Sequence, residues 1–185
     1  MDVMWDVSDP TLTGAERSRI EVTADGWLLT GVVVAAYDGR PLDVDYQVLV
    51  DAGWATRSVD VTMDRLAKPR RLRLDRSTNA LWRIDGAPAP ELDGCLDVDL
   101  GVTPSTNTLP IRRLGLKVGQ ELEIDVAWVK FPELRVDRGR QTYARISAET
   151  WRYTSGEYTA DLTVDENGCV TRYGNDLWKQ VPLSQ

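Results

Sequence analysis

Residues 94–114 read GCLDVDLGVTPSTNTLPIRRL. Leu96, Val98 and Leu100 alternate with Asp97 and Asp99, the period-two rhythm of a strand with two unlike faces. Pro104 stops the strand. Beyond it Ser105, Thr106 and Asn107 are helix-capping types, Pro110 suits a first helical turn, and Gly115 accepts the left-handed conformation that ends a helix. One short helix near residues 105–114 is therefore expected, with Leu109, Ile111 and Leu114 turned inward. Arg112 and Arg113 then need anionic partners. Either they pair with Asp97 and Asp99 as a polar clasp, or they meet an anionic ligand.

Around this stretch nearly every window alternates at two residues. In PLDVDYQVLVD, Leu42, Val44, Tyr46, Val48 and Val50 share one face while Asp43, Asp45, Gln47 and Asp51 hold the other. Asp25-Gly26, Asp38-Gly39, Ser155-Gly156 and Asn167-Gly168 supply residues that tolerate positive φ and close hairpins. Strands are expected over roughly 17–24, 27–37, 42–51, 56–63, 70–75, 80–85, 94–100, 120–130, 141–153, 157–164 and 168–173. So many antiparallel strands cannot stay flat, and must close or roll around something that covers their apolar face. The expected fold is mainly β, a highly curved, barrel-like antiparallel sheet wrapped around the helix near 105–114, in a single domain over residues 1–185.

Composition excludes several function classes. The chain has no histidine, which removes Ser-His-Asp, Cys-His and His-ligated metal chemistry. It has no GxGxxG or GxxxxGK[ST] phosphate cradle. With 22 basic and 29 acidic residues, the net charge of −7 opposes nucleic-acid binding. The basic run KPRRLRLDR at residues 68–76 alternates Leu72 and Leu74 with Arg71 and Arg73, as a strand with one solvated cationic face does. Cys95 and Cys169 lie far apart, fitting a reduced compartment better than a disulfide framework or zinc site. No cofactor and no metal are expected. Neither a signal peptide nor a membrane span is evident, so the expected location is cytoplasmic.

Several segments together resemble one family. They are YQVLVDAGWATRSVDV, with Tyr46, Asp51, Trp54, Thr56 and Arg57; WRIDG, with Trp82, Asp85 and Gly86; and the stretch around residues 94–114, with Asp97, Asp99, Pro104, Thr106, Asn107, Pro110, Arg112 and Arg113. VAWVKFPEL, the QTY of Gln141 to Tyr143, and VDENGCVTRYGNDLW follow. This set resembles the DUF1089 family, described as glycolipid-binding, across about residues 20–180. The resemblance implies a spiral β-roll wound on a single helix, similar to carrier folds that hold acyl chains in a concave apolar sheet. It also implies a homodimer and a glycolipid or related amphiphile as partner.

Three functions compete on the residues. For a binding module, seven tryptophans against one phenylalanine favour indole, a flat apolar face with an N–H donor suited to stacking on sugars. Trp54, Trp82, Trp128 and Trp151 are the candidates, with Arg57, Arg112 and Arg113 for an anionic headgroup. Asp97, Asp99, Asn107 and Tyr143 complete the expected ligand-binding set through the motifs of the resemblance. Tryptophan in a small β-domain is also ordinary core filler. For a carboxylate-dependent glycan-acting enzyme, Asp97 and Asp99 share a face with Cα atoms roughly 6.5–7 Å apart; neighbouring arginines would lower their pKa values instead of preparing a general acid. A structural or protein-interaction domain without a small ligand is the third. The reading adopted is non-catalytic binding of a glycolipid or lipid.

Overall fold

The computed structural model describes residues 2–65 and 67–182. In chain order its strands are β1 (Asp2–Ser8), β2 (Leu12–Thr23), β3 (Gly26–Tyr37), β4 (Arg40–Asp51), β5 (Thr56–Asp64), β6 (Arg70–Arg76), β7 (Trp82–Ile84), β8 (Ala87–Pro88) and β9 (Asp97–Leu100). After helix α1 (Thr108–Leu114) come β10 (Glu121–Lys130), β11 (Arg135–Arg145), β12 (Thr150–Ser155), β13 (Tyr158–Val164), β14 (Val170–Tyr173) and β15 (Trp178–Val181). All fifteen strands form one open sheet in the order β8-β7-β6-β5-β4-β3-β2-β1-β15-β14-β13-β12-β11-β10-β9. Consecutive strands are neighbours in space except β8 and β9, which form the two edges, and β1 against β15 joins the two runs. The result is the expected curved roll about one short helix.

Alternation fixes which face turns inward. On β4, Leu42, Val44, Tyr46, Val48 and Val50 are buried, while Asp43, Asp45 and Gln47 are exposed. β6 follows the same rule, burying Leu72 and Leu74 and exposing Arg71 and Arg73. Arg73 is matched there by Asp60 and Asp75. Trp5, Tyr46, Trp82 and Tyr143 are the bulkiest wholly buried side chains. Burial of each such ring contributes up to about 3 kcal/mol of transfer free energy.

The opening stretch is a crossover. β9 pairs parallel to β10, in register from Asp97 opposite Val126 to Leu100 opposite Val129. This corrects the expectation of antiparallel pairing throughout: parallel neighbours need a long return connection, and α1 supplies it. β9 is also fastened to the other run, since Thr56 N donates to Leu96 O at 2.8 Å and Val98 N to Thr56 Oγ1 at 3.1 Å. Leu109 and Ile111 of α1 are buried, and Gly115 ends the helix at φ +55°. The expected caps are used differently. Residues Ser105–Asn107 form a 3-10 turn ahead of α1, and no side chain caps the helix. Thr106 Oγ1 instead accepts from Leu100 N at 3.2 Å, tying the turn to β9.

Other boundaries also differ. The expected strand over 141–153 is two strands, β11 and β12, because Ser147 Oγ accepts from Glu149 N and Thr150 N and turns the chain. Alternation ran through that turn because Gln141, Tyr143, Trp151 and Tyr153, all odd-numbered, are all buried. β1 and β15 lie outside the expected strands, although Val3, Trp5 and Val7 alternate into the core.

Candidate functional site

One end of the roll, where β2 begins and β3 ends, opens into a cavity of about 540 Å³. Five strand ends or hairpins and the crossover loop build it. Asp9, Thr11 and Leu12 enter from the β1–β2 turn, Tyr37 from the end of β3, and Gly101, Thr103, Pro104 and Asn107 from the crossover loop. Trp128, Lys130, Phe131 and Glu133 come from the end of β10, Tyr153 and Tyr158 from the β12–β13 hairpin, and Tyr173 and Trp178 from the β14–β15 hairpin. The tyrosines stand as a group: Tyr158 stacks on Tyr173 at 6.5 Å and 15°, and Tyr153 lies 6.3 Å from each. Rings arranged in this way present flat apolar walls and hydroxyl rims, which suits a ligand that is both ring-shaped and polar.

Asp99 is the carboxylate built deepest into this end. It is half-buried on β9 and accepts from Gln141 Nε2 at 2.5 Å and from the Tyr153 hydroxyl. Burial pushes its pKa up to about 6, against the lowering effect of those two hydrogen bonds. The expected lowering by arginines does not occur, because the partners of Asp99 are neutral. Behind it, Tyr143 donates to Asn107 Oδ1 at 2.8 Å, and Asn107 Nδ2 donates to Pro104 O at 3.1 Å. This chain holds the cavity floor at a defined height.

A second polar network supports the same floor from β2. Glu16 is 1% exposed and accepts from Tyr46 OH at 2.5 Å, Thr103 Oγ1 at 2.6 Å and Ser105 Oγ at 3.0 Å. Ser18 Oγ lies 3.1 Å from Ser105 Oγ and accepts from Trp5 Nε1 at 3.4 Å. Burial raises the Glu16 pKa to about 7, with the three hydroxyl donors opposing it. Gly31 makes the Tyr46 contact possible: a Cβ there would lie 2.3 Å from the Tyr46 ring, so only glycine lets the ring cross β3 toward Glu16.

The expected site residues fall into separate places. Asp99, Asn107 and Trp128 line the cavity, and Tyr143 supports them. Asp97 is wholly buried and receives Arg113 Nε and Nη2 in a two-pronged ion pair, at 3.0 and 2.6 Å. Arg112 is no part of that clasp. Its guanidinium lies 4.5 Å from the Trp54 ring centre and donates to Asn167 O. Trp54, at φ +68°, stacks in turn on Trp27 at 4.8 Å. Arg57 is half-buried on β5. Trp82 is core, donating from Nε1 to Cys95 O at 3.0 Å, and Trp151 is core beneath Arg145. Asp9, Tyr37, Phe131, Glu133, Tyr153, Tyr158, Tyr173 and Trp178 line the cavity without having been singled out. For Phe131, Glu133, Tyr173 and Trp178 the signal was present in VAWVKFPEL and VTRYGNDLW, segments that carry aromatics beside acids at a strand end.

The model of a family described as "Putative glycolipid-binding" matches residues 2–179. The crystal structure of a DUF1089 family protein from Pseudomonas aeruginosa is 32% identical, with 92% of each chain covered and a TM-score of 0.76. A β-barrel-like protein of the DUF1849 family from Brucella abortus is 12% identical over 93% of this chain and 89% of its own, with a TM-score of 0.51, a likeness of fold alone. No curated protein matches the chain. Among the described residues no helix is long and apolar enough to cross a membrane. With almost its whole length matched by the family model and by a solved member, the chain belongs to the DUF1089 family, whose description is "Putative glycolipid-binding".

Proposed function

We propose that the chain binds a glycolipid-like amphiphile without turning it over, and that the headgroup sits in the aromatic cavity at the end of the roll where β2 begins and β3 ends. The observation that carries this reading is the combination of tyrosine and tryptophan walls with Asp99, the carboxylate set deepest among them. Sugar rings stack on such faces, and a carboxylate accepts from their hydroxyls. A volume of about 540 Å³ lies within the range typical of small-ligand sites, about 300–1,000 Å³. The interior of the roll is filled by Trp5, Tyr46, Trp82 and Tyr143, so the reading puts the headgroup inside and leaves the alkyl portion toward the mouth. Catalysis by the aspartate pair on β9 is disfavoured, because Arg113 holds Asp97 as a salt bridge and leaves Asp99 without a carboxylate counterpart on that strand.

Native mass spectrometry of the purified protein, before and after incubation with decyl β-D-glucoside, tests the proposal. A stoichiometric adduct that is lost in a Trp128→Ala, Tyr173→Ala variant of unchanged melting temperature supports it. A spectrum free of adduct at saturating glycoside removes its support.

A further inference from the structure

The two aspartates of β9 stand two residues apart and are treated oppositely. Asp97 is matched by Arg113, whereas Asp99 faces the cavity with only neutral partners, Gln141 and Tyr153. A desolvated carboxylate without a counter-charge is costly, and a cation arriving with a ligand relieves that cost. The remaining charges of the cavity point the same way. Asp9 and Glu133 add two further carboxylates to its lining. Lys130, the one cation lining it among the described residues, is already bound to Asp137 at 2.7 Å and lies over the Trp128 ring at 4.3 Å. The arginines expected to receive an anionic headgroup are elsewhere, Arg113 on Asp97 and Arg112 over Trp54. Finally, the faces of Tyr153, Tyr158 and Tyr173 carry the negative side of their quadrupoles, which attracts an ammonium group and repels a phosphate or carboxylate.

Building on the proposed glycolipid site, we infer that the cavity selects an amino-sugar headgroup, with Asp99 receiving the protonated amine and the tyrosine walls enclosing it. The ammonium donates to the carboxylate while the sugar ring packs on the aromatics. Neutral N-acetylated sugars lose the charge and must fit an additional acetyl group. Anionic headgroups meet three carboxylates and bind worst.

Isothermal titration at pH 7.0 with decyl β-D-glucosaminide, its N-acetylated counterpart and methyl β-D-glucosaminide tests this assignment. The free-amine decyl form is expected to bind at least tenfold more tightly than the N-acetylated form, and Asp99→Asn, nearly isosteric, is expected to bring that ratio close to one. Glu133→Gln, at an exposed position, is expected to reduce it by a smaller factor. Equal or tighter binding of the N-acetylated form overturns the amine assignment and leaves glycolipid binding standing. A preference that survives undiminished in Asp99→Asn overturns the role of Asp99. If methyl β-D-glucosaminide binds as tightly as the decyl form, the amine assignment holds and the lipid is removed from the proposed function. If neither decyl ligand binds, both fall together.

Discussion

Glu16→Gln is the most informative single change in the scaffold. Glu16 is sealed in the core with Tyr46, Thr103 and Ser105, and no cation is among the causes that set its pKa. Its folded pKa of about 7 stands above the ordinary 4.5. The folded chain thus holds this proton more tightly than the unfolded chain. Stability from that proton is fully present below about pH 4.5 and is lost as pH rises through about 7. At about 1.4 kcal/mol for each tenfold, the gap between 4.5 and about 7 amounts to about 3 kcal/mol. Glutamine keeps the shape and removes the titration. Urea unfolding of both proteins at half-unit steps from pH 4.5 to 8.5 provides the assay, the quantity of interest being the difference in unfolding free energy between them. Asp99, whose pKa is also raised, tilts both curves equally and drops out of the difference. The wild-type protein should lose about 3 kcal/mol relative to Glu16→Gln over this interval. A difference that stays constant with pH, or moves in the other direction, would refute the assignment of Glu16 as a buried acid near neutrality.

Three further outcomes follow from the same geometry. Arg113→Met leaves Asp97 buried and unpaired and should cost about 3–5 kcal/mol by chemical denaturation, with much of that recovered in an Arg113→Met, Asp97→Leu double variant. Gly31→Ala drives a methyl group into the Tyr46 ring and should cost about 1–3 kcal/mol or more, with a smaller cost when Tyr46 is also replaced by Leu. Affinity for a cationic amphiphile should fall as pH drops below about 6, where Asp99 takes up a proton, with Gln141, Tyr143, Tyr153, Tyr173 and Asn107 around it remaining neutral; titration calorimetry between pH 5 and 7.5 reads this directly, and an unchanged Kd counts against Asp99 as the receptor.

The fold was largely legible because its signal is repeated. The alternation in PLDVDYQVLVD and the turn pairs such as Asp38-Gly39 each encode a local hairpin, and a meander needs little else. The parallel β9–β10 pairing was not legible in the same way, because it depends on where α1 returns the chain and not on any period in the strands. The site was legible only in part. Asp99, Asn107 and Trp128 belong to motifs dense in unusual residues, but the strand pattern of Asp97 and Asp99 is identical, and only the fold gives one an arginine and the other a cavity. Arg112 and Arg113 are adjacent in sequence and point to different neighbours, since successive helical positions lie about 100° apart. Glu16 was hidden for a different reason. It stands in ERSRIEV among charged residues of a strand whose outer face is solvated, and its parity, not its type, sends it inward.

Co-crystallisation with decyl β-D-glucosaminide tests the central claim most directly. Ligand density is expected in the cavity, with the sugar ring against Trp128 and the tyrosines and a polar headgroup atom within hydrogen-bonding distance of Asp99. Crystals grown at saturating ligand with an empty cavity, or with the ligand bound only elsewhere on the roll, would contradict it.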